Sequence, residues 1–480
     1  MWDGRRDHAR GRGQVSAWLL DCRRWRRGRG QHAAPSGARR HPAWRRPGPS
    51  RVAVSRECIV RRLRAFGRST DTKRRVVIVG GGGTGDAAAF ALRKKGFDGD
   101  IAILSADLDR PYDRPYLSKE FVRGEIEAPK VFLHEEADYA KEHIELQLDQ
   151  RVAGGSVEER KLMLAGGREV SFDVLVLGLG GTPRRLPGIP DAANVVTLRS
   201  LRDSQAIRDA LGRAKRLLLI GAGFIGAEVA ASARKLGKDV LIVEALPVPL
   251  QRALGREVGE IYAGIHRDEG VDLRTDTRVD VWHSSRDRVT GVTLSDGTRE
   301  EADLALVAVG IEPNLELPKA LGLPIEGGGV RVDEGLRAAD DVYVGGDIAL
   351  HRHPVLGRSI RVEHWEVAKN QGRGIGASIA DGHTPYRRLP YFWSDQYDVS
   401  LEYRGHASGD DTAVWRGDRA GRQFSVFYLR KGIVEAVLSL NDSKTNELGG
   451  KLVESRRRIE PSALESSGAD LAELAGLTGS

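Results

Sequence analysis

Apolar residues arrive in short, nearly unbroken runs, at positions 76–79, 101–104, 174–177, 217–220, 240–243 and 304–309, and each run gives way to a glycine or a polar turn. Runs of that length without alternation predict strands buried on both faces, as in a parallel sheet. An alanine-rich stretch of helical length separates the first two runs, and another separates the fourth from the fifth. Two β-α-β units are therefore expected, at 75–104 and 217–244, the second inserted into the first. The run beginning at Asp303 is expected to return the chain to the first unit, which a further buried strand near 342–344 completes. The first half is also expected to hold strands at 149–152 and 170–178. Beyond residue 385 apolar and polar positions alternate, as at 391–406, 423–429 and 433–440, which predicts an antiparallel sheet domain followed by a short helical tail.

The two β-α turns carry glycines at the same spacing. Gly80, Gly82 and Gly85 follow the first strand, and Gly221, Gly223 and Gly226 follow the fourth, with Ile225 inside the second turn. In a G-x-G-x-x-G turn the first glycine lets the chain reverse, the second lets backbone approach a pyrophosphate, and the third lets helix and strand pack closely. The helix N-terminus then offers N–H groups and a partial positive charge. With 58 glycines in 480 residues the bare spacing arises by chance about once, so context decides. Looser matches beginning at Gly28 and Gly372 follow no strand and are set aside, whereas two copies in full context predict two dinucleotide sites. An acid at the end of the second strand of such a unit receives the ribose hydroxyls. Asp107 fills that place in the first unit and Glu244 in the second, where a carboxylate would repel a 2′-phosphate and so favours NADH over NADPH.

Composition changes this picture in two ways. The net charge of +8 is uneven: residues 1–70 hold 19 arginines, no lysine and four acids, whereas the remainder holds 56 basic and 63 acidic residues, a balance of −7. The arginine-rich extension has little apolar periodicity and is expected to be disordered. A targeting peptide and a nucleic-acid arm are open readings of it. We favour an upstream extension with no folded role, because composition shifts abruptly at Lys73. The only cysteines, Cys22 and Cys58, both lie there. The body therefore lacks a structural disulfide, a Cys-ligated cluster and the redox cysteine pair that a flavin disulfide reductase keeps beside its flavin. No metal site is expected, no apolar run is long enough for a membrane-spanning helix, and the cytoplasm is the default compartment.

The string Arg110-Pro-Tyr-Asp-Arg-Pro-Tyr-Leu-Ser-Lys119 sets Arg114 and Lys119 on a proline-stiffened loop, where cations suit phosphates or the electron-rich edge of a flavin. A structured basic loop is the equally plain reading. Likewise Asp347, ending Val342-Tyr-Val-Gly-Gly-Asp347, reads as a turn residue by itself, and Trp365 as a core aromatic. Together these strings resemble the FAD-dependent NAD(P)H oxidoreductases of the pyridine nucleotide-disulfide oxidoreductase superfamily, which include the ferredoxin reductases of oxygenase systems and apoptosis-inducing-factor-like proteins. The resemblance runs from about residue 74 to about 473. Glu-His-Trp at 363–365 and Phe-Trp-Ser-Asp-Gln-Tyr-Asp at 392–398 look closer to the apoptosis-inducing-factor-like branch. The chain departs from the pattern at Gly178-Leu-Gly180, where similar proteins show A-T-G.

For FAD the resemblance implies contacts from Gly80, Gly82, Gly85, Asp107, Arg114, Lys119 and the Val152 backbone. It also implies Arg199 facing the pyrophosphate, Asp347 bonding the ribitol and Trp365 beside the isoalloxazine. For NADH it implies Gly221, Gly223, Ile225, Gly226, Glu228, Glu244 and Gly310. Lys119 and Glu228 would form the catalytic pair near flavin N5, where hydride arrives from the nicotinamide.

The fold expected is α/β, with two nested Rossmann-like dinucleotide-binding domains of glutathione-reductase type and a C-terminal α+β interface domain. The boundaries are 1–72 for the extension, 73–184 and 305–384 for the FAD domain, 185–304 for the NADH domain and 385–480 for the interface domain. The function expected is electron transfer from NADH through FAD to an external acceptor, a small ferredoxin-type iron–sulfur carrier. Rival readings are an NADH oxidase or NADH-sensing interaction protein and, through the arginine arm, a nucleic-acid binder. Neither a membrane nor nucleic acid is the expected partner, and monomer and homodimer are both compatible with the sequence.

Overall fold

The computed structural model of the protein describes residues 73–477, so the extension expected over 1–72 lies outside the described residues. Arg75–Val79 occupies the middle of a six-stranded sheet. It pairs in parallel with Asp100–Leu104 on one side and Val174–Leu177 on the other. Ile144–Gln147 extends one edge, and Val342–Val344 then Arg337–Ala339 extend the other. Val76, Val77 and Ile78 are fully buried, as the lack of alternation requires when helices or loops cover both faces of a sheet.

The inserted unit repeats this plan in a five-stranded parallel sheet. Its order is Asp272–Arg274, Asp239–Val243, Arg216–Ile220, Leu304–Val307 and Val195–Val196. One expectation is corrected here: Leu304–Val307 does not return the chain to the first unit at 305 but pairs with Arg216–Ile220 inside the second. The return comes a few residues later, where Ile311–Pro313 pairs antiparallel with the outgoing Gly181–Pro183. A second, smaller difference lies at 149–152, where Asp149 is left-handed with φ 55° and the strand begins only at Val152.

The helix after the first turn, Gly83–Lys94, packs closely along Trp365–Asp381. Small residues make that approach possible: a Cβ on Gly372 would stand 2.3 Å from the Thr84 carbonyl oxygen, and one on Gly376 would stand 2.7 Å from the Ala91 Cβ. The glycine at 372 thus serves helix packing, and by clamping this helix it fixes Trp365 at the helix head. The C-terminal sheet is antiparallel in the order Tyr391–Gln396, Val399–Gly405, Ile433–Leu440, Gln423–Arg430 and Thr412–Asp418. Helix Ser443–Ser455 covers it through Leu452 and Val453, which pack with Val414, Phe427 and Val437. Each such side chain contributes about 1.5–3 kcal/mol on burial. No helix among the described residues is long and apolar enough to cross a membrane.

Candidate nucleotide and hydride-transfer site

The two glycine turns have the same anatomy. Gly80 and Gly221 have φ +113° and +97°, conformations that favour glycine. The third glycines are forced by packing, because a Cβ on Gly85 would stand 2.0 Å from the Gly80 oxygen and one on Gly226 would stand 2.2 Å from the Gly221 oxygen. The middle glycines differ: a Cβ on Gly82 would meet only Arg114 Nη2, at 4.0 Å, and one on Gly223 would meet nothing. Protein packing therefore does not account for the missing side chains at 82 and 223, and a ligand running over the turn does. Gly82 and Gly223 are also the N-caps of their helices and bring no side-chain acceptor, so the first N–H groups stay open to an anion.

Both turns open into one cavity of about 890 Å³. Of the expected FAD contacts, Gly80, Gly82, Asp107, Arg114, Lys119, Val152, Arg199, Asp347 and Trp365 line it; of the NADH contacts, Gly223, Ile225, Glu228 and Gly310 do. Gly85, Gly221, Gly226 and Glu244 do not, the first three because they are spent on the turn itself. Glu244 is spent similarly: its Oε2 accepts the Ala222 N–H at 2.6 Å and its Oε1 the Leu246 N–H at 2.9 Å. Its carboxylate thus buttresses the turn. Asp107 accepts the Tyr112 hydroxyl at 2.8 Å while facing the cavity, and burial pushes the Tyr112 pKa up to about 12.

The residue types present fit a flavin dinucleotide. Arg199 donates to Asp347 at 2.8 Å, yet its Nε is buried without a partner. Burial and the neighbouring Arg114 cation together lower its pKa, so two adjacent guanidinium groups, among the four that line the cavity, have only the Asp347 carboxylate, paired with Arg199, between them. An anion such as a pyrophosphate would complete that balance. Trp365 Nε1 is likewise buried and unpartnered, and Trp365 lies against Gly83, where a Cβ would stand 2.9 Å from its ring. His364 caps the same helix: its Nδ1 accepts the Glu366 N–H at 3.4 Å, and burial holds its pKa down at about 4, leaving the ring neutral.

At the junction of the two units the proline-stiffened loop meets the helix of the second turn. Lys119 Nζ lies 3.1 Å from Glu228 Oε2, and both side chains are 9% exposed. Ser118 also donates to Glu228 Oε2, and Ser394, from the C-terminal sheet, donates to Oε1 at 2.7 Å. Ser118, Ser394, His364 and Trp393, another cavity-lining residue, were missed by sequence reasoning. Ser118 had a signal in its place beside Lys119. Ser394 lay within the string 392–398 that carries the resemblance, but nothing there pointed to Glu228, which lies on an element far away in sequence.

Residues 74–372 match the family described as pyridine nucleotide-disulphide oxidoreductase, and residues 391–475 match the family described as reductase C-terminal. The chain is 38% identical to the 5,5'-dehydrodivanillate O-demethylase ferredoxin reductase subunit of Sphingobium sp., over 84% of this chain and 98% of that protein. It is 35% identical to the putidaredoxin reductase of Pseudomonas putida, over 83% of this chain and 96% of that protein. Among solved structures, a ferredoxin reductase from Rhodopseudomonas palustris aligns with TM-score 0.80 and 33% identity, covering 84% of this chain and 100% of that one. A covalent putidaredoxin reductase–putidaredoxin complex aligns with TM-score 0.81 and 33% identity, covering 85% of this chain and 100% of that one.

Proposed function

The chain belongs to the pyridine nucleotide-disulphide oxidoreductase family, and from that premise we propose that it is a ferredoxin–NAD(+) reductase, taking a hydride from NADH and delivering two electrons, by way of FAD, to a ferredoxin-type iron–sulfur protein. The observation that carries this reading is the single cavity shared by the Gly82 and Gly223 turns, with the buried Lys119–Glu228 pair where the two units meet. The Gly82 turn, Asp107, Arg114, Val152, Arg199, Asp347 and Trp365 would hold FAD; Gly223, Ile225, Glu228, Gly310 and the Glu244-braced turn would hold NADH. FAD, when bound, supplies the exchange between a two-electron hydride and single electrons. The chain supplies position and field. Lys119, fixed by Glu228 and shielded from bulk water, keeps a positive charge where a hydride brings negative charge into the site, and such preorganised charge acts strongly in a low-dielectric cavity.

Residues 73–480 contain no cysteine, so no disulfide can store the electron pair and the electrons pass to another molecule. The acceptor's chemistry is suggested by a cationic edge beside the cavity-lining tryptophans. Lys369 lies 5.9 Å from the Trp365 ring, and Arg404 lies 4.1 Å from the ring of Tyr391, which stacks on Trp393. Arg388 is 3.8 Å from Glu366, and Arg373 donates to Asn370 at 2.8 Å. Four cations thus gather around three carboxylates, Asp113, Glu366 and Glu402, on a body whose overall balance is −7, and an acidic carrier is drawn to such a patch. The relatives named as ferredoxin reductases have the same partner class in their names, and a cytoplasmic setting is where NADH is supplied.

The test is spectroscopic. Purified protein should be yellow, acid should release FAD, and stoichiometric NADH added without oxygen should bleach the flavin faster than NADPH at equal low concentration. A colourless folded protein, or flavin that NADH leaves oxidised, overturns the reading.

A further inference from the structure

Glu228 is the end of a buried line of polar groups that the hydride-transfer site does not by itself require. Ser394 Oγ donates to Glu228 Oε1 at 2.7 Å, and Gln396 Nε2 donates to Ser394 Oγ at 3.1 Å. Both residues sit on one face of strand Tyr391–Gln396, two positions apart. Gln396 Oε1 and His266 Nε2, on helix Arg256–Asp268, are both buried, and neither meets a partner at hydrogen-bonding geometry. Burial lowers the pKa of His266 to about 4, and the neighbouring Gln396 side chain opposes that lowering. His266 Nδ1 then lies 2.9 Å from the Tyr397 hydroxyl. Ser394 and His266 are 0% exposed and Gln396 is 1% exposed, whereas Tyr397, at the hairpin turn with φ 56°, is half-buried.

The direction of the line follows from its last member. An ionised carboxylate only accepts, so the single proton of Ser394 points at Glu228, and Ser394 can only accept from the amide of Gln396. A proton on His266 Nε2 would satisfy the unpartnered Gln396 Oε1, and Nδ1 would then accept from Tyr397. Every donor points toward Glu228, and hydrogen bonds aligned head to tail polarise one another.

We propose that Ser394, Gln396 and His266 are positioning residues for hydride transfer: a directed hydrogen-bond line, contributed by the interface domain and the NADH unit, that holds the Glu228 carboxylate in register with Lys119. The inference rests on the reading of this site as the place where NADH delivers its hydride. Tyr262, one turn before His266, supplies the control. It is fully buried with an unpartnered hydroxyl and feels the charge of Glu228, but it stands outside the line.

The test uses the full chain with its flavin. Ser394→Ala should slow anaerobic reduction of the flavin by NADH about tenfold at saturating NADH, because the lost interaction acts in the transition state. Ser394→Thr, which restores the hydroxyl, should recover the rate, and Tyr262→Phe should leave it unchanged. Flavin content and melting temperature, measured alongside, separate this loss from misfolding. Independently of turnover, protein labelled with [15N]histidine should show the His266 ring as a neutral Nε2–H tautomer between about pH 5 and 8, one signal among those of the other buried neutral rings such as His364. That signal should vanish in His266→Asn and shift in Ser394→Ala. A Ser394→Ala protein that is folded, flavin-loaded and as fast as wild type overturns the proposal, as does a His266 ring that titrates in this range or carries its proton on Nδ1. Failure of NADH to reduce the wild-type flavin would defeat the functional reading instead, and the histidine tautomer would still decide whether the line exists.

Discussion

Lys119 and Glu228 come from different nucleotide-binding units and meet as a 3.1 Å ion pair with only 9% of either side chain exposed. Removing one member strands the other's charge in a buried place, so Lys119→Met or Glu228→Gln alone should cost about 3–5 kcal/mol of stability. The double variant should recover most of that loss in chemical denaturation. Reduction of the flavin by NADH should stay slow in all three, which separates the pair's part in the chemistry from its part in the fold.

The two inner glycines of the first turn should fail differently. Gly85→Ala would push a Cβ to 2.0 Å from the Gly80 oxygen, whereas at Gly82 the protein leaves the space free apart from Arg114 at 4.0 Å. Gly82→Ala is thus expected to fold and melt near the wild-type apoprotein while losing FAD. Gly85→Ala is expected to lower the melting temperature of the apoprotein itself. Absorbance of bound flavin and a melting curve on each protein decide the matter.

Glu244 has both carboxylate oxygens on backbone N–H groups of its own turn. Glu244→Ala should narrow the preference for NADH over NADPH by removing a negative charge. It should also raise the KM for both nucleotides by loosening the turn. Steady-state KM values for the two cofactors check this, and a changed preference with an unaltered KM for NADH would show that the turn does not depend on the carboxylate.

A pH effect is expected at the first turn of helix Gly83–Lys94. His134 Nε2 lies 3.5 Å from Asp86 Oδ2, and the ring stacks on Phe90 at 3.7 Å. Its hydrogen bond to Asp86 raises its pKa despite partial burial. A raised folded-state pKa contributes stability below the unfolded histidine value, about 6.5, and that stability is lost as pH rises through the folded value. His134→Ala should therefore lower the melting temperature more at about pH 6 than at about pH 8.5, the two sides of that transition. An equal loss at both would leave only the ring stacking.

Local signals made the nucleotide turns legible: a strand, three glycines and a helix follow one another over residues 75–94 and again over 216–235, and Gly80 and Gly221 adopt the positive φ that the spacing required. Tertiary assignments were less legible. The run 304–309 announced a strand but not its sheet, and it was misplaced, although its position before Gly310 mirrors that of Val174–Leu177 before Gly178 and the two strands occupy matching places beside their first strands. The acid at Glu244 was visible, whereas the use of both its oxygens on the turn depends on backbone geometry. The pairing of Lys119 with Glu228 came only through family resemblance. Ser394 stood in the string 392–398 without a role attached and His266 had no signal, because each reaches its partner by lying on an element brought alongside only in the folded chain.

Electrons from NADH are expected to leave this chain for a ferredoxin-type carrier. The most direct measurement is NADH-driven reduction of cytochrome c by the full-length flavoprotein, with and without iron–sulfur ferredoxins encoded near its gene. The account predicts that one such ferredoxin raises the rate at least about tenfold, and that the gain shrinks as salt screens the cationic edge around Lys369, Arg373, Arg388 and Arg404. If every ferredoxin leaves the rate unchanged while oxygen or a quinone sustains NADH turnover, the account is contradicted and an NADH oxidase or redox sensor takes its place.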